Sequence, residues 1–196
     1  MLTAQENQTL IKKLELYEGR VSHMYCDTDG NVTVGVGHLL SSAHDAQKFK
    51  WHRQDKGISI SNKDIEDDFN NVKKNFDSTL KSSNYKQYTK LFLDDMTINK
   101  SRDDYIRHSA VELKSIYHNF DKYPTEVRLV LFDMIFNLGM PNLRWHWPHF
   151  NAAIKAEDWE KAATECSRTG IQQERNDYVE NLLEKAAANK KAAAGK

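Results

Sequence analysis

Between residues 3 and 18, Leu10, Ile11, Leu14 and Tyr17 recur at helical spacing, with Lys12, Lys13 and Glu15 between them. That periodicity predicts an amphipathic helix. Thr3, followed by Glu6, has the pattern of a capping box, and Gly19 supplies a stop. The pattern then switches to a period of two. Val32, Val34 and Val36 alternate with Thr33, Gly35 and Gly37, and the Asp29-Gly30 pair before them is a hairpin turn signal. Residues 21–40 therefore read as a small sheet whose second face is rich in glycine. Glycine there leaves room for something to approach the backbone closely.

Helical spacing returns over 61–80, where Ser61 or Asn62 can cap and Ile65, Phe69, Val72 and Phe76 keep one stripe. Residues 81–123 are polar and carry helical fragments over 88–96 and 103–120. Residues 125–138 are apolar nearly all round, which marks a central core helix, and Gly139 ends it with Pro141 beyond. Further helices are expected over 151–166 and 172–188, and the Ala/Lys-rich end, 190–196 above all, reads as a frayed, low-complexity tail. No internal repeat is visible. The fold class that follows is α+β, mostly helical, with one small β-hairpin sheet near the N-terminus.

Composition narrows the function. Lys+Arg and Asp+Glu are both 28 in 196 residues, a formal net charge of zero. Nucleic-acid binders usually carry a basic surplus, so none is expected as a partner, nor is loading onto an anionic surface by bulk charge. Only 8 Gly and 3 Pro disfavour an all-β fold. No stretch is long and apolar enough for a membrane span. The N-terminal stretch has no basic start followed by an apolar core, so synthesis in the cytoplasm without a signal peptide is expected. Cys26 and Cys166 read as free thiols, with a single bridge between them as the alternative. Histidines 38, 44, 52, 146 and 149 show no ligand register, so no metal is expected.

Three polar residues stand out. Glu18 closes the first helix, and Asp27 and Thr33 flank the hairpin turn, which brings them to neighbouring strand positions. One carboxyl held as an acid and a second kept ionised is what glycoside hydrolysis requires. The plainer reading is a surface glutamate and a threonine of ordinary strand propensity.

The spacing Glu18-x8-Asp27-x5-Thr33 resembles the catalytic triplet of the T4 lysozyme-like, phage-type muramidases of glycoside hydrolase family 24. The surroundings match as well: YEG at 17–19, Y-x-D-T-x-G-x-x-T at 25–33 and TVGVGHLL at 33–40. VLFDMIFNLG at 130–139 resembles the family's central C-lobe helix, Trp159 with Ala162 and Ala163 the next one, and TGIQQERNDYV at 169–179 a segment with an arginine that pairs with the catalytic glutamate. The resemblance implies a two-lobed lysozyme-like fold without metal or cofactor. It implies cleavage of the β-1,4 bond between N-acetylmuramic acid and N-acetylglucosamine in peptidoglycan, and bacterial lysis. Glu18 would be the general acid, Asp27 and Thr33 would position water, Leu39 and Phe136 would line the substrate site, and Arg175 and His38 would support it.

On this basis residues 1–189 form one domain: an N-lobe over 15–75, a helical insertion over 78–120, and a C-lobe of 121–189 with 1–14. The insertion departs from the family pattern, as elaboration or as a surface for an immunity or inhibitor protein. His38 matches a family histidine paired with an aspartate, and Asp67 and Asp68 fall slightly early for that role. Trp145, His146 and Trp147 are either packing residues or sugar-stacking rings. The chain is expected to be monomeric, acting on glycan strands in the periplasm. The alternative is a non-catalytic peptidoglycan- or partner-binding module. The setting is a phage endolysin or the lysozyme domain of an antibacterial effector or bacteriocin, and charge neutrality fits a delivered domain better than a freely diffusing one.

Overall fold

Thr3 and Glu6 exchange hydrogen bonds, Glu6 N–H to Thr3 Oγ1 at 3.2 Å and Thr3 N–H to Glu6 Oε2 at 2.6 Å. This capping box starts helix α1, Ala4–Glu18. Gly19, at φ +76°, ends it and bonds back to Glu15 O at 3.1 Å. The computed structural model describes residues 2–53 and 59–195. The chain divides into two compact units, Leu14–Tyr105 and Met1–Lys13 with Ile106–Lys196. It is α+β and mostly helical, with a small antiparallel sheet.

In the Leu14–Tyr105 unit, β1 (Val21–Cys26), β2 (Val32–Gly35) and β3 (His38–Leu39) form an antiparallel sheet in that order. Tyr25 pairs with Thr33, Thr33 pairs with Leu39, and a register shift between Val21 and Tyr25 bends β1. The valines of the alternating run are buried, and so are Thr33 and Gly35 on the other face. The room left by that face is filled from within the unit: a Cβ on Gly35 would meet Ile98 at 3.7 Å.

Three expected helices are corrected here. After the short helix α2 (Ala43–Ala46), the one expected over 61–80 is α3, Asn62–Lys74, capped by Ser61 and Asp64. It stops early because Asn75 caps it and Thr79 folds back on Asp77 Oδ1 through both N–H (2.8 Å) and Oγ1 (2.7 Å). The fragment expected over 88–96 contains instead strand β5, Leu91–Phe92, paired with β4, His52–Arg53. Asp68 holds it there, accepting from the N–H groups of Lys90 (2.8 Å) and Leu91 (2.9 Å) and from Thr89 Oγ1. The region 78–120 thus holds a 3-10 segment (Ser82–Tyr88) and a strand besides its long helix, α4 (Asp95–Ile116). Like α1, α4 runs from one unit into the other.

In the other unit, α5 has the expected bounds, Thr125–Leu138, and Leu129–Ile135 are buried without a break. Helices α6 (Met140–His146), α7 (Pro148–Lys155), α8 (Trp159–Thr164) and α9 (Gln173–Ala194) follow. The third correction is the single helix expected over 151–166: Glu157 takes a positive φ of 55° and Asp158 caps a new helix by accepting from Lys161 N. The tail is helical to Ala194 rather than frayed, and Lys190 and Lys191 reach Glu157 O (2.8 Å) and Glu160 Oε1 (2.5 Å). Trp145 is 71% exposed, while Trp147 meets Phe150 edge-on at 6.3 Å. Among the described residues, no helix is long and apolar enough to cross a membrane.

Candidate active site

Asp27, Thr33, Glu18, Leu39 and His38 all belong to the Leu14–Tyr105 unit, and Phe136 and Arg175 to the other. The hairpin loop fixes Asp27 first. Gly30, at φ +79°, donates to Asp27 O at 3.1 Å, and Asp27 N–H donates to Asn31 O at 2.9 Å. The side chain is then held by three N–H donors: Asp29 N (3.0 Å) and Asn31 N (2.8 Å) on Oδ1, and Asn31 Nδ2 (3.1 Å) on Oδ2. This is an Asx turn closed by an amide. Its signal was present in the sequence as Asp27 and Asn31 four apart, but Asn31 was not among the expected site residues.

Thr33 stands between Tyr25 and Leu39 in the register of the sheet. Its hydroxyl donates to Asn31 O at 3.2 Å, which leaves its lone pairs as acceptors. Glu18, half-buried, ends α1 and lies against the turn between β2 and β3. A Cβ on Gly37 (φ +63°) would sit 3.2 Å from both Glu18 Oε2 and Glu18 Cβ. The glycine that follows Val36 is therefore what lets this carboxyl approach the backbone. Glu15, one turn earlier, is braced by Arg20 and Arg102, each at 2.9 Å.

Tyr25 feels the charge of both carboxyl groups. Burial raises its phenol pKa, the charges of Glu18 and Asp27 raise it further, and together they push it up to about 12. One phenol thus stands in the field of both carboxylates. Leu39 is 52% exposed beside Thr33, an apolar contact open to a ligand.

His38 faces Ser101 Oγ at 3.1 Å through Nδ1 and meets Phe49 edge-on at 5.0 Å. Burial lowers its pKa and Asp45 opposes that. Its hydrogen-bond partner is thus a serine of α4, within the longer region 78–120. Asp68 is engaged by residues 89–91.

In the second unit, Phe136 is half-buried near the end of α5. Arg175 is buried, and its Nε donates to Asp133 at 3.0 and 3.2 Å. Arg168 Nη1 reaches the same carboxylate at 2.8 Å, so two guanidiniums share one buried acid. Cys26 and Cys166 are free and buried. Among the described residues, no group of three or more His, Cys, Asp or Glu side chains is placed to hold a metal ion.

Neither a scan against protein-family models nor a search of the curated proteins finds a match for this chain. The functional reading therefore stands on the residues and their geometry.

Proposed function

We propose that the chain is a muramidase that hydrolyses the β-1,4 bond between N-acetylmuramic acid and N-acetylglucosamine in peptidoglycan. The observation that carries this reading is the pair of carboxyl groups around Tyr25. Glu18 is set against Gly37 at a helix end, and Asp27 is solvated by three N–H groups in the hairpin. The two carboxyl groups are held differently, Glu18 beside the Gly37 backbone at a helix end and Asp27 by three N–H donors in the hairpin loop.

Glu18 protonates the glycosidic oxygen as the bond breaks. Asp27 and Thr33 hold the water that attacks the anomeric carbon from the opposite face, and Asp27 takes its proton, so configuration inverts. Within the Leu14–Tyr105 unit, His38 supports the site and Leu39 lines it. The protein lyses bacteria as a domain delivered to the cell wall of the periplasm, as an antibacterial effector or bacteriocin does.

Turbidity clearing of purified cell walls by wild type and by Glu18→Gln tests the reading, with the anomer of the first-formed product read by NMR. Clearing by wild type, none by the variant and a product of α configuration are expected. Wild-type protein that binds walls and clears them no faster than Glu18→Gln overturns the enzyme and leaves a binding module.

A further inference from the structure

A cavity of about 390 Å³ opens in the Leu14–Tyr105 unit, and neither Glu18, Asp27 nor Thr33 lines it. Its walls come from β1, β4, β5 and the 3-10 segment, and they include His23, Arg53, Lys86 and Lys90. Among the described residues, no acidic side chain lines it. In a chain with as many acids as bases, three permanent cations around one hollow are a local departure from balance.

Among the described residues, two neighbouring acids, Asp68 and Asp64, are already engaged. Asp68 faces the segment that carries Lys90 and accepts from Lys90 N and Leu91 N, which fixes that wall. Asp64 gives Oδ2 to the Ser61 N–H (2.9 Å) and hydroxyl (2.6 Å), and its Oδ1 is 3.6 Å from Arg53 Nη2. That separation is an ion pair without a hydrogen bond, so the guanidinium fork is not used up on Asp64. His23 is buried beside these charges. Its Nε2 lies 3.0 Å from Ser82 O, and a carbonyl only accepts, so Nε2 carries the proton and the ring is fixed. Burial lowers its pKa, and Lys86 adds to that against the Ser82 bond.

We infer that this cavity binds a small, multiply charged anion bearing phosphate or paired carboxylate groups. Arg53 contacts it through its planar fork, and Lys86 and Lys90 act as point charges. The size suits a small molecule or a substituent of a larger one. Two sources share this chemistry, a phosphate group and the carboxylates of a cell-wall peptide. The cavity's anion binding does not depend on the muramidase reading, whereas the cell-wall peptide as its source rests on it.

The test uses the full chain carrying Glu18→Gln, so that no probe is cleaved. His23 ring resonances are followed by NMR during titration with inorganic phosphate, with citrate, and with the peptidoglycan disaccharide with and without its peptide. Saturable shifts with at least one anionic probe are expected. Arg53→Ala, and separately Lys86→Ala with Lys90→Ala, should weaken binding about tenfold or more. Arg53→Lys should weaken it less. Saturation by phosphate but not by the peptide-bearing disaccharide assigns a phosphate ligand. Saturation by that disaccharide but not by its peptide-free form assigns peptide carboxylates. No saturable shift with any probe, or binding unaffected by Arg53→Ala, overturns the site.

Discussion

Gly37→Ala isolates the contact that places Glu18, the proposed general acid. Gly37 has φ +63°, and an alanine forced into this left-handed region loses roughly 1–2 kcal/mol. A stiffer unfolded chain offsets roughly 0.4–1 kcal/mol of that. The net backbone effect is therefore about 1 kcal/mol, a fall in Tm of roughly 2–4 °C for a chain of this size. The second effect is local. The new Cβ would stand 3.2 Å from Glu18 Cβ and Oε2 and 3.3 Å from Glu18 Cγ. Contact along the whole side chain, Cβ included, means that Glu18 cannot yield by swinging only its tip. It must shift by a few tenths of an ångström.

Misplacement of a catalytic group by about 1 Å lowers rates on the order of a hundredfold, so a shift of this size is expected to lower wall clearing roughly tenfold. Gly170→Ala is the control. Gly170 has φ +78° with nothing within 4 Å of an added Cβ, so the backbone strain is present and the collision is not. Both variants should lose similar Tm by calorimetry, and only Gly37→Ala should lose clearing rate. If Gly37→Ala clears walls at the rate of Gly170→Ala, the approach of Glu18 to Gly37 has no part in placing the acid.

Asp133→Asn leaves the buried guanidiniums of Arg168 and Arg175 without their shared carboxylate, and urea unfolding should show a loss of about 3–5 kcal/mol. A loss below about 1 kcal/mol would refute the charge-sharing account. Burial alone would raise the Glu6 pKa, but bonds from Thr125 Oγ1 (2.5 Å) and Thr3 N–H, with the charge of Arg128, lower it from the ordinary 4.5. The unfolded chain therefore binds this proton more readily, so the stability from Glu6 is present above pH 4.5 and is lost as pH falls through the lower folded value. Tm should drop more steeply on acidification for wild type than for Glu6→Gln, and parallel profiles would contradict this. Burial raises both thiols, Cys166 to about 11, so neither should react with an aromatic disulfide reagent at about pH 8 until the protein unfolds. Rapid labelling of folded protein would contradict that burial.

The elements legible in the sequence are those made by neighbours in the chain. The Thr3–Glu6 box, the Asp29-Gly30 turn and the apolar 125–138 run each carry their cause within a few residues, and α5 has the bounds its pattern predicts. Of the candidate site, Glu18, Asp27 and Thr33 were readable as spacing. Glycine at position 37 was readable as an unusual residue, but not as the seat of Glu18. What was not legible depends on distant partners. Strands β4 and β5 are two residues each, too short for periodicity, and Leu91 and Phe92 are extended because they pair with Arg53 and His52 and because Asp68 takes the Leu91 N–H. The Ser101 hydroxyl comes to His38 from 63 positions along the chain. The break at Glu157 had a local sign, Asp158 three residues before Lys161, which the apolar pattern on both sides obscured.

Charge shows the same division most sharply. Equal totals of 28 exclude attraction to an anionic surface by the molecule as a whole. At physiological ionic strength, however, exposed charges act over about 8 Å, so what a small ligand meets is set by the side chains around it and not by the sum. Arg53, Lys86 and Lys90 come together only because β4 pairs with β5 and the 3-10 segment packs on β1. A neutral chain can thus present a cation-lined hollow at one place without being drawn to anionic surfaces everywhere. The proposed wall-cleaving activity fits that arrangement if delivery, rather than diffusion to a charged polymer, brings the chain to its substrate.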